Sequence, residues 1–190
     1  MIDTAPGRTR LAALTAIFDV GKTRSKLVML DESGSIAYTA LRSNEVLKAG
    51  PYPHLDTDRT WQWMLQVLHD SKLGARAMDC IVVTHGATFA LLDGPELVVP
   101  VMDYEFDGYD TINPEYKRAR DDFDQTCSPS LPAGLNAGRQ IFFAQNLFPA
   151  EFERVSAIVP YPQFWASRFC GVTGCRESNV RGPLRTTVIY

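Results

Sequence analysis

The stretch Asp19-Val20-Gly21-Lys22-Thr23-Arg24-Ser25-Lys26 lies between two apolar runs, Leu14 to Phe18 and Leu27 to Leu30, and a Glu32-Ser33-Gly34 turn follows. Two strands joined by a tight polar bend fit this pattern. The bend has the groups that hold phosphate. A carboxylate at a strand end, Asp19, can position a hydrated Mg²⁺, while Gly21 lets backbone N–H groups and the Thr23 hydroxyl approach phosphate oxygens. Lys22 and Lys26 can add positive charge. This chemistry points to a nucleoside triphosphate. The same eight residues also suit an ordinary polar hairpin turn, with both lysines as solvated flanks.

Gly21-Lys22-Thr23 is not the end of a P-loop. The first glycine of that motif would fall at Ala16, inside the apolar strand, and Ser25 to Leu30 continue as strand where a P-loop requires a helix.

The chain has 190 residues, 45% hydrophobic and 22% charged, which is the composition of a globular protein of about one domain. A formal net charge of −3 with scattered Lys and Arg gives no footprint for nucleic acid. No apolar segment approaches membrane-spanning length and Met1 to Arg10 has no leader pattern, so no membrane partner and a cytoplasmic location are expected. Cys80, Cys127, Cys170 and Cys175 are spread through a chain too large to need disulfide staples. They read as reduced thiols, and no second Cys/His pair accompanies Cys170 and Cys175 at zinc spacing.

Leu14 to Val20, Ser25 to Asp31 and Ser35 to Leu41 are three strand candidates forming an antiparallel meander. After a Pro- and Gly-containing loop, Asp56 or Thr57 can cap a helix carrying Trp61, Met64, Leu65 and Leu68 on one face. Cys80 to Thr84, the His85-Gly86-Ala87-Thr88 turn and Phe89 to Leu92 suggest a second strand-turn-strand unit. Asp103 to Ser130 reads as loop with a short helix near Pro114 to Arg120; Gly138 to Phe148 and Tyr161 to Cys170 read as helices. The order implies an α/β fold, a mixed sheet with flanking helices.

Several segments, in this order, resemble the N-terminal domain of the FGGY carbohydrate kinases, in the actin/hexokinase/Hsp70 superfamily of ATPases. Asp19 to Lys26 resembles the family's first phosphate loop, Asp-x-Gly-Thr-Thr-x-x-Lys/Arg, with Lys22 in place of the first Thr. Val82-Val-Thr-His-Gly-Ala-Thr-Phe-Ala-Leu-Leu-Asp93 resembles its strand, sugar loop and strand. Pro100-Val-Met-Asp-Tyr-Glu105 falls where the family carries Pro-x-x-x-x-Asp. Gly138 to Phe148 with Pro149-Ala-Glu-Phe152, the helix Tyr161 to Gly171, and Glu177-Ser178 continue the likeness. The pattern is closest to rhamnulokinase-like and fuculokinase-like members.

This resemblance implies a ribonuclease H-like (actin-like ATPase) domain over 12–178, with an N-terminal antiparallel β-meander and flanking helices, and 179–190 as a tail unlike the family. It further implies ATP and Mg²⁺ as cofactors and a small sugar as partner, a deoxy-ketose such as rhamnulose or fuculose. His85 and Gly86, directly after an apolar strand, would meet sugar hydroxyls, although a lone His also suits a satisfied loop or core position. Asp103 and Glu105 compete for the sugar-contacting carboxylate, because the alignment slips by two residues there. The general-base Asp and the C-terminal ATP-binding domain are expected beyond the end of this chain, as in a truncated or split gene product. The other half would then come from another chain, or the chain would self-associate; a catalytically inactive sugar-binding remnant is the alternative.

Overall fold

The side chains of strand β1 (Leu14–Val20) alternate: Leu14, Ala16, Phe18 and Val20 are buried, Thr15 and Ile17 are half-buried, and Asp19 is exposed. A period of two puts the first set on one face of a sheet. We describe the protein from a computed structural model, which covers residues 13–73, 76–171 and 185–189.

Strand β2 (Arg24–Leu30) runs antiparallel to β1, pairing Ile17 with Val28, Asp19 with Lys26 and Val20 with Ser25. Strand β3 (Ile36–Ser43) completes the meander after a turn closed by the Asp31 carboxylate, which accepts from the amides of Ser33 and Ser35. A short ribbon, β4 (Val46–Leu47) with β5 (His54–Leu55), leads to helix α1 (Thr57–Asp70). Asp56 caps that helix, accepting the Arg59 N–H at 3.1 Å. Strand β6 (Ala77–Thr84) then lies parallel to β1, a return that needs a crossover of helix length.

Next come β7 (Phe89–Asp93), β8 (Glu96–Leu97), α2 (Asn113–Ala119), α3 (Phe123–Thr126), α4 (Ala137–Leu147), α5 (Pro149–Phe152), β9 (Ala157–Pro160), α6 (Tyr161–Cys170) and β10 (Arg185–Ile189). The main sheet has the order β10-β6-β1-β2-β3, and a smaller sheet has the order β8-β7-β9.

Helices α1 and α6 cover the even-numbered face of β1. Met64 and Val67 from α1 and Phe164 and Trp165 from α6 are buried in one cluster with Phe18, Leu27, Met29 and Val82. Each such fully buried apolar side chain stabilises the fold by about 1.5–3 kcal/mol. Phe18 stacks on Phe169 at 5.3 Å and meets the edge of Trp63 at 6.2 Å. Burial pushes the Cys80 thiol up to about 12, so this cysteine behaves as a small core residue; Cys127 and Cys170 form no disulfide among the described residues, and Cys175 lies outside them. A second cluster, around Tyr52, Tyr109, Ile112 and Phe143, joins α4 to the small sheet.

Two pairings lie beyond what the sequence indicated. Phe89 to Leu92 does not pair back on β6; β7 joins β8 and β9 in the separate sheet, because Phe89 to Leu92 finds its partners in Ala157 to Pro160. The segment set apart as a tail, 179–190, supplies β10 at Arg185–Ile189, which pairs parallel with β6. Its Thr-Thr-Val-Ile run is β-branched and suits a strand.

Candidate functional site

The parallel pairing of β1 and β6 ends level, with Val20 opposite Thr84. Gly21 and His85 therefore leave the sheet side by side at the carboxyl ends of two parallel strands, the place where open α/β sheets hold ligands.

The bend after β1 is strapped from a distance. The Gly21 amide donates to the Arg24 carbonyl at 2.9 Å, and a Cβ at Gly21 would stand 3.0 Å from that oxygen. Asn44 donates through Nδ2 to the Gly21 carbonyl and to Ser25 Oγ, both at 2.7 Å, and through its backbone N–H to the Thr23 carbonyl at 2.9 Å. Gly21 thus closes the turn with its own amide, while Thr23 stays exposed.

Lys22 leaves this bend and reaches the acidic loop. Its Nζ lies 2.9 Å from Asp103 Oδ1 and 2.5 Å from Glu105 Oε2, and 5.2 Å from the centre of the Tyr104 ring. Burial by itself lowers the Lys22 pKa, but the bonds to Asp103 and Glu105 outweigh it and hold the ammonium above its ordinary value. The two acids differ in setting: the Asp103 side chain is 9% exposed and that of Glu105 64%. Asp103 Oδ1 also accepts the Glu105 N–H at 3.1 Å, which orders the loop.

His85 packs between two aromatic rings, edge-on to Tyr104 at 4.8 Å and stacked on Tyr161 at 5.2 Å. Both ring nitrogens are buried without a hydrogen-bond partner. Burial is the main reason its pKa lies below the ordinary value; nearby Asp103 opposes the shift and Lys22 adds to it. The ring is then neutral near pH 7, one nitrogen a donor and the other an acceptor, which suits a sugar hydroxyl that both gives and takes a hydrogen bond. A Cβ at Gly86 would meet nothing within 4 Å, leaving that side open.

The loops carrying these groups are tied by a buried network. Thr88 Oγ1 lies 2.8 Å from the Met102 carbonyl and 3.1 Å from Gln140 Oε1. Gln140 Nε2 donates to the carbonyls of Ala87 at 2.7 Å and Gly134 at 2.5 Å. Helix α4 so fixes the His85 turn against the residue before Asp103.

Of the residues singled out in the sequence, Lys22, His85, Asp103 and Glu105 converge here, with Gly21, Thr23 and Gly86 on the adjoining turns. Asp19 and Lys26 face each other across β1 and β2, on the sheet face opposite Phe18 and Val20. No group of three or more His, Cys, Asp or Glu able to hold a metal occurs among the described residues. A single exposed carboxylate at Asp19 still fits Mg²⁺, which keeps several waters and takes other ligands from bound phosphate. Sequence reasoning missed Asn44, Tyr104, Gln140 and Tyr161. Tyr104 and Tyr161 stood inside quoted motifs as aromatic neighbours; nothing local marked Asn44 or Gln140. A cavity of about 240 Å³ between the start of α1 and Val98 to Pro100 is lined by none of the predicted site residues.

No family model and no curated protein matches the chain. Solved structures do. A carbohydrate kinase from Novosphingobium aromaticivorans aligns with a TM-score of 0.75 at 32% identity, over 82% of this chain and 33% of that one. A xylulose kinase from Rhodospirillum rubrum gives 0.71 at 15% identity, over 86% and 36%. A glycerol kinase with ADP from Plasmodium falciparum gives 0.68 at 9% identity, over 86% and 36%. The chain spans about a third of the length of these proteins. At their identities the last two show a common fold, that of the actin-like ATPases, and the first carries the likeness into sequence. On that fold and that identity, the chain belongs with the FGGY-type carbohydrate kinases as a relative of their N-terminal domain.

Proposed function

We propose that this chain forms the acceptor-binding part of a carbohydrate kinase, which moves the terminal phosphoryl of ATP onto a sugar hydroxyl. The supporting observation is the convergence of Lys22, His85, Asp103 and Glu105 at the level ends of β1 and β6. In such a transfer the sugar oxygen bonds to phosphorus, the bond to the departing ADP oxygen breaks, and the hydroxyl proton passes to a base. Bound Mg²⁺ would neutralise charge on the phosphates, and Asp19 would hold it through water. Thr23 and Lys26 would line the phosphates from the bend, with Gly21 setting its path. His85 and Asp103 would orient the acceptor between the Tyr104 and Tyr161 rings.

The site favours an uncharged acceptor. Lys22 offsets one of the two carboxylates and His85 is neutral, so one net negative charge remains and repels an acid sugar. This supports a neutral acceptor, with rhamnulose and fuculose suggested by the sequence and xylulose by several structural relatives. The general base and most of the nucleotide site would come from a further segment or another chain. A cytoplasmic location accompanies this reading; no helix among the described residues is long and apolar enough to cross a membrane.

Isothermal titration of the 190-residue chain with Mg-ATP and with rhamnulose, fuculose, xylulose and gluconate tests it. A neutral ketose should bind in preference to gluconate. Sugar binding would support the acceptor-binding role, and no sugar binding at all would refute the assignment.

A further inference from the structure

Lys22 stands in the phosphate bend, yet its ammonium is committed to the acceptor loop. The contact spans two segments far apart in the chain: the turn between β1 and β2 on one side, Asp103 and Glu105 on the other. On the same loop, Tyr104 lies under the ammonium and against His85. Both imidazole nitrogens are sealed from solvent and unpaired. Leaving a buried polar group unpaired is unfavourable, so this arrangement is a closed site that gains when a partner arrives. The ammonium, meanwhile, holds the carboxylate that would otherwise accept a hydroxyl.

We propose that Lys22 is a latch between the two ligand sites: it shuts the acceptor pocket by holding Asp103 and Glu105, and a polyphosphate bound at the β1–β2 bend draws it off and frees the pocket. This rests on the phosphate reading of the bend. A lysine suits the task, since its charge sits on a flexible four-carbon stem with three rotatable donors and can exchange one anion for another without moving the backbone. Its two anchors are unequal. Asp103 is buried and fixed, while Glu105 is exposed and screened, so the pair is weak enough for a multiply charged anion to compete. Opening returns Asp103 to the acceptor and uncovers His85, and phosphate and acceptor binding become positively coupled. By linkage each ligand tightens the other by the same factor.

The test uses the 190-residue chain with inorganic tripolyphosphate as probe, titrated by calorimetry, and the His85 imidazole cross-peak followed by NMR at pH 7.5. In the wild-type chain tripolyphosphate should bind and displace the His85 peak. Lys22→Met should show that peak displaced from the outset and bind the probe at least tenfold more weakly. Glu105→Gln, a substitution at an exposed side chain, should bind tripolyphosphate about three- to tenfold more tightly because the latch has lost an anchor. Glu32→Gln, at the far end of the β2–β3 hairpin, removes the same charge and should change the affinity less than twofold. Should Lys22→Met fail to fold, Glu105→Gln against Glu32→Gln decides. Probe binding with an unmoved His85 peak, or equal affinities in the two glutamine variants, overturns the latch and leaves the phosphate bend standing. No probe binding in any form overturns both.

Discussion

Thr88→Val probes how the acceptor loops are held. Thr88 is fully buried, and its hydroxyl faces two acceptors, the Met102 carbonyl at 2.8 Å and Gln140 Oε1 at 3.1 Å. One proton serves both oxygens, so the native arrangement is a single shared bond. Gln140 cannot turn to compensate, because its Nε2 is already held by Ala87 and Gly134. Valine keeps the shape and removes the proton. The lost bond is worth about 1 kcal/mol net, and a stranded buried acceptor adds about 1–3 kcal/mol when no water reaches it, against which the new methyl recovers part of the loss. The expected destabilisation is about 2 kcal/mol. With a urea slope of about 2 kcal/mol/M for a chain of this size, the midpoint should fall by about 1 M at unchanged slope. Tryptophan fluorescence in urea is the assay. Thr88→Ser, which keeps the proton and loses a methyl, should lose only about half as much. A Thr88→Val midpoint within 0.2 M (about 0.4 kcal/mol) of wild type, or a serine variant weaker than the valine one, would refute this account of how the His85 turn is tied to Asp103.

Three further outcomes are expected. Asp19→Ala should leave the urea midpoint nearly unchanged, since the side chain is exposed, while abolishing any Mg²⁺ dependence of nucleotide binding in calorimetry; unaltered Mg²⁺ dependence would remove Asp19 from the metal's surroundings. His85 titrates below its ordinary 6.5 because it is buried, so the unfolded chain binds more protons between the two values, and stability should be full above about pH 6.5 and fall as pH drops through the folded value. Comparison of urea midpoints at pH 7.5 and 5.5 checks this, and an unchanged pH slope in His85→Asn would contradict it. Gly21→Ala places a methyl carbon 3.0 Å from the Arg24 carbonyl and should cost about 1–3 kcal/mol, read as a lower melting temperature; a variant as stable as wild type would mean the bend relaxes freely.

Local signals determined much of this protein. Alternation in Leu14 to Val20 and Leu27 to Leu30 was enough to place a hairpin, the Asp56 cap to start α1, and Pro and Gly to bound the helices Ala137–Leu147 and Tyr161–Cys170. These depend on neighbours a few residues apart, so they are written in the sequence. Lys22, His85, Asp103 and Glu105 were also visible as candidates, singly. Their meeting was not, because it depends on the level ends of two parallel strands separated by a helix, and on loops fixed by Thr88 and Gln140 across about fifty positions. Tertiary structure alone decided that Phe89 to Leu92 would leave the main sheet, that Arg185–Ile189 would close its edge, and that Lys22 would turn toward the acidic loop. Pairing partners and buried charges are chosen by long-range packing, and a residue's type fixes what it can bond but not what will be within reach.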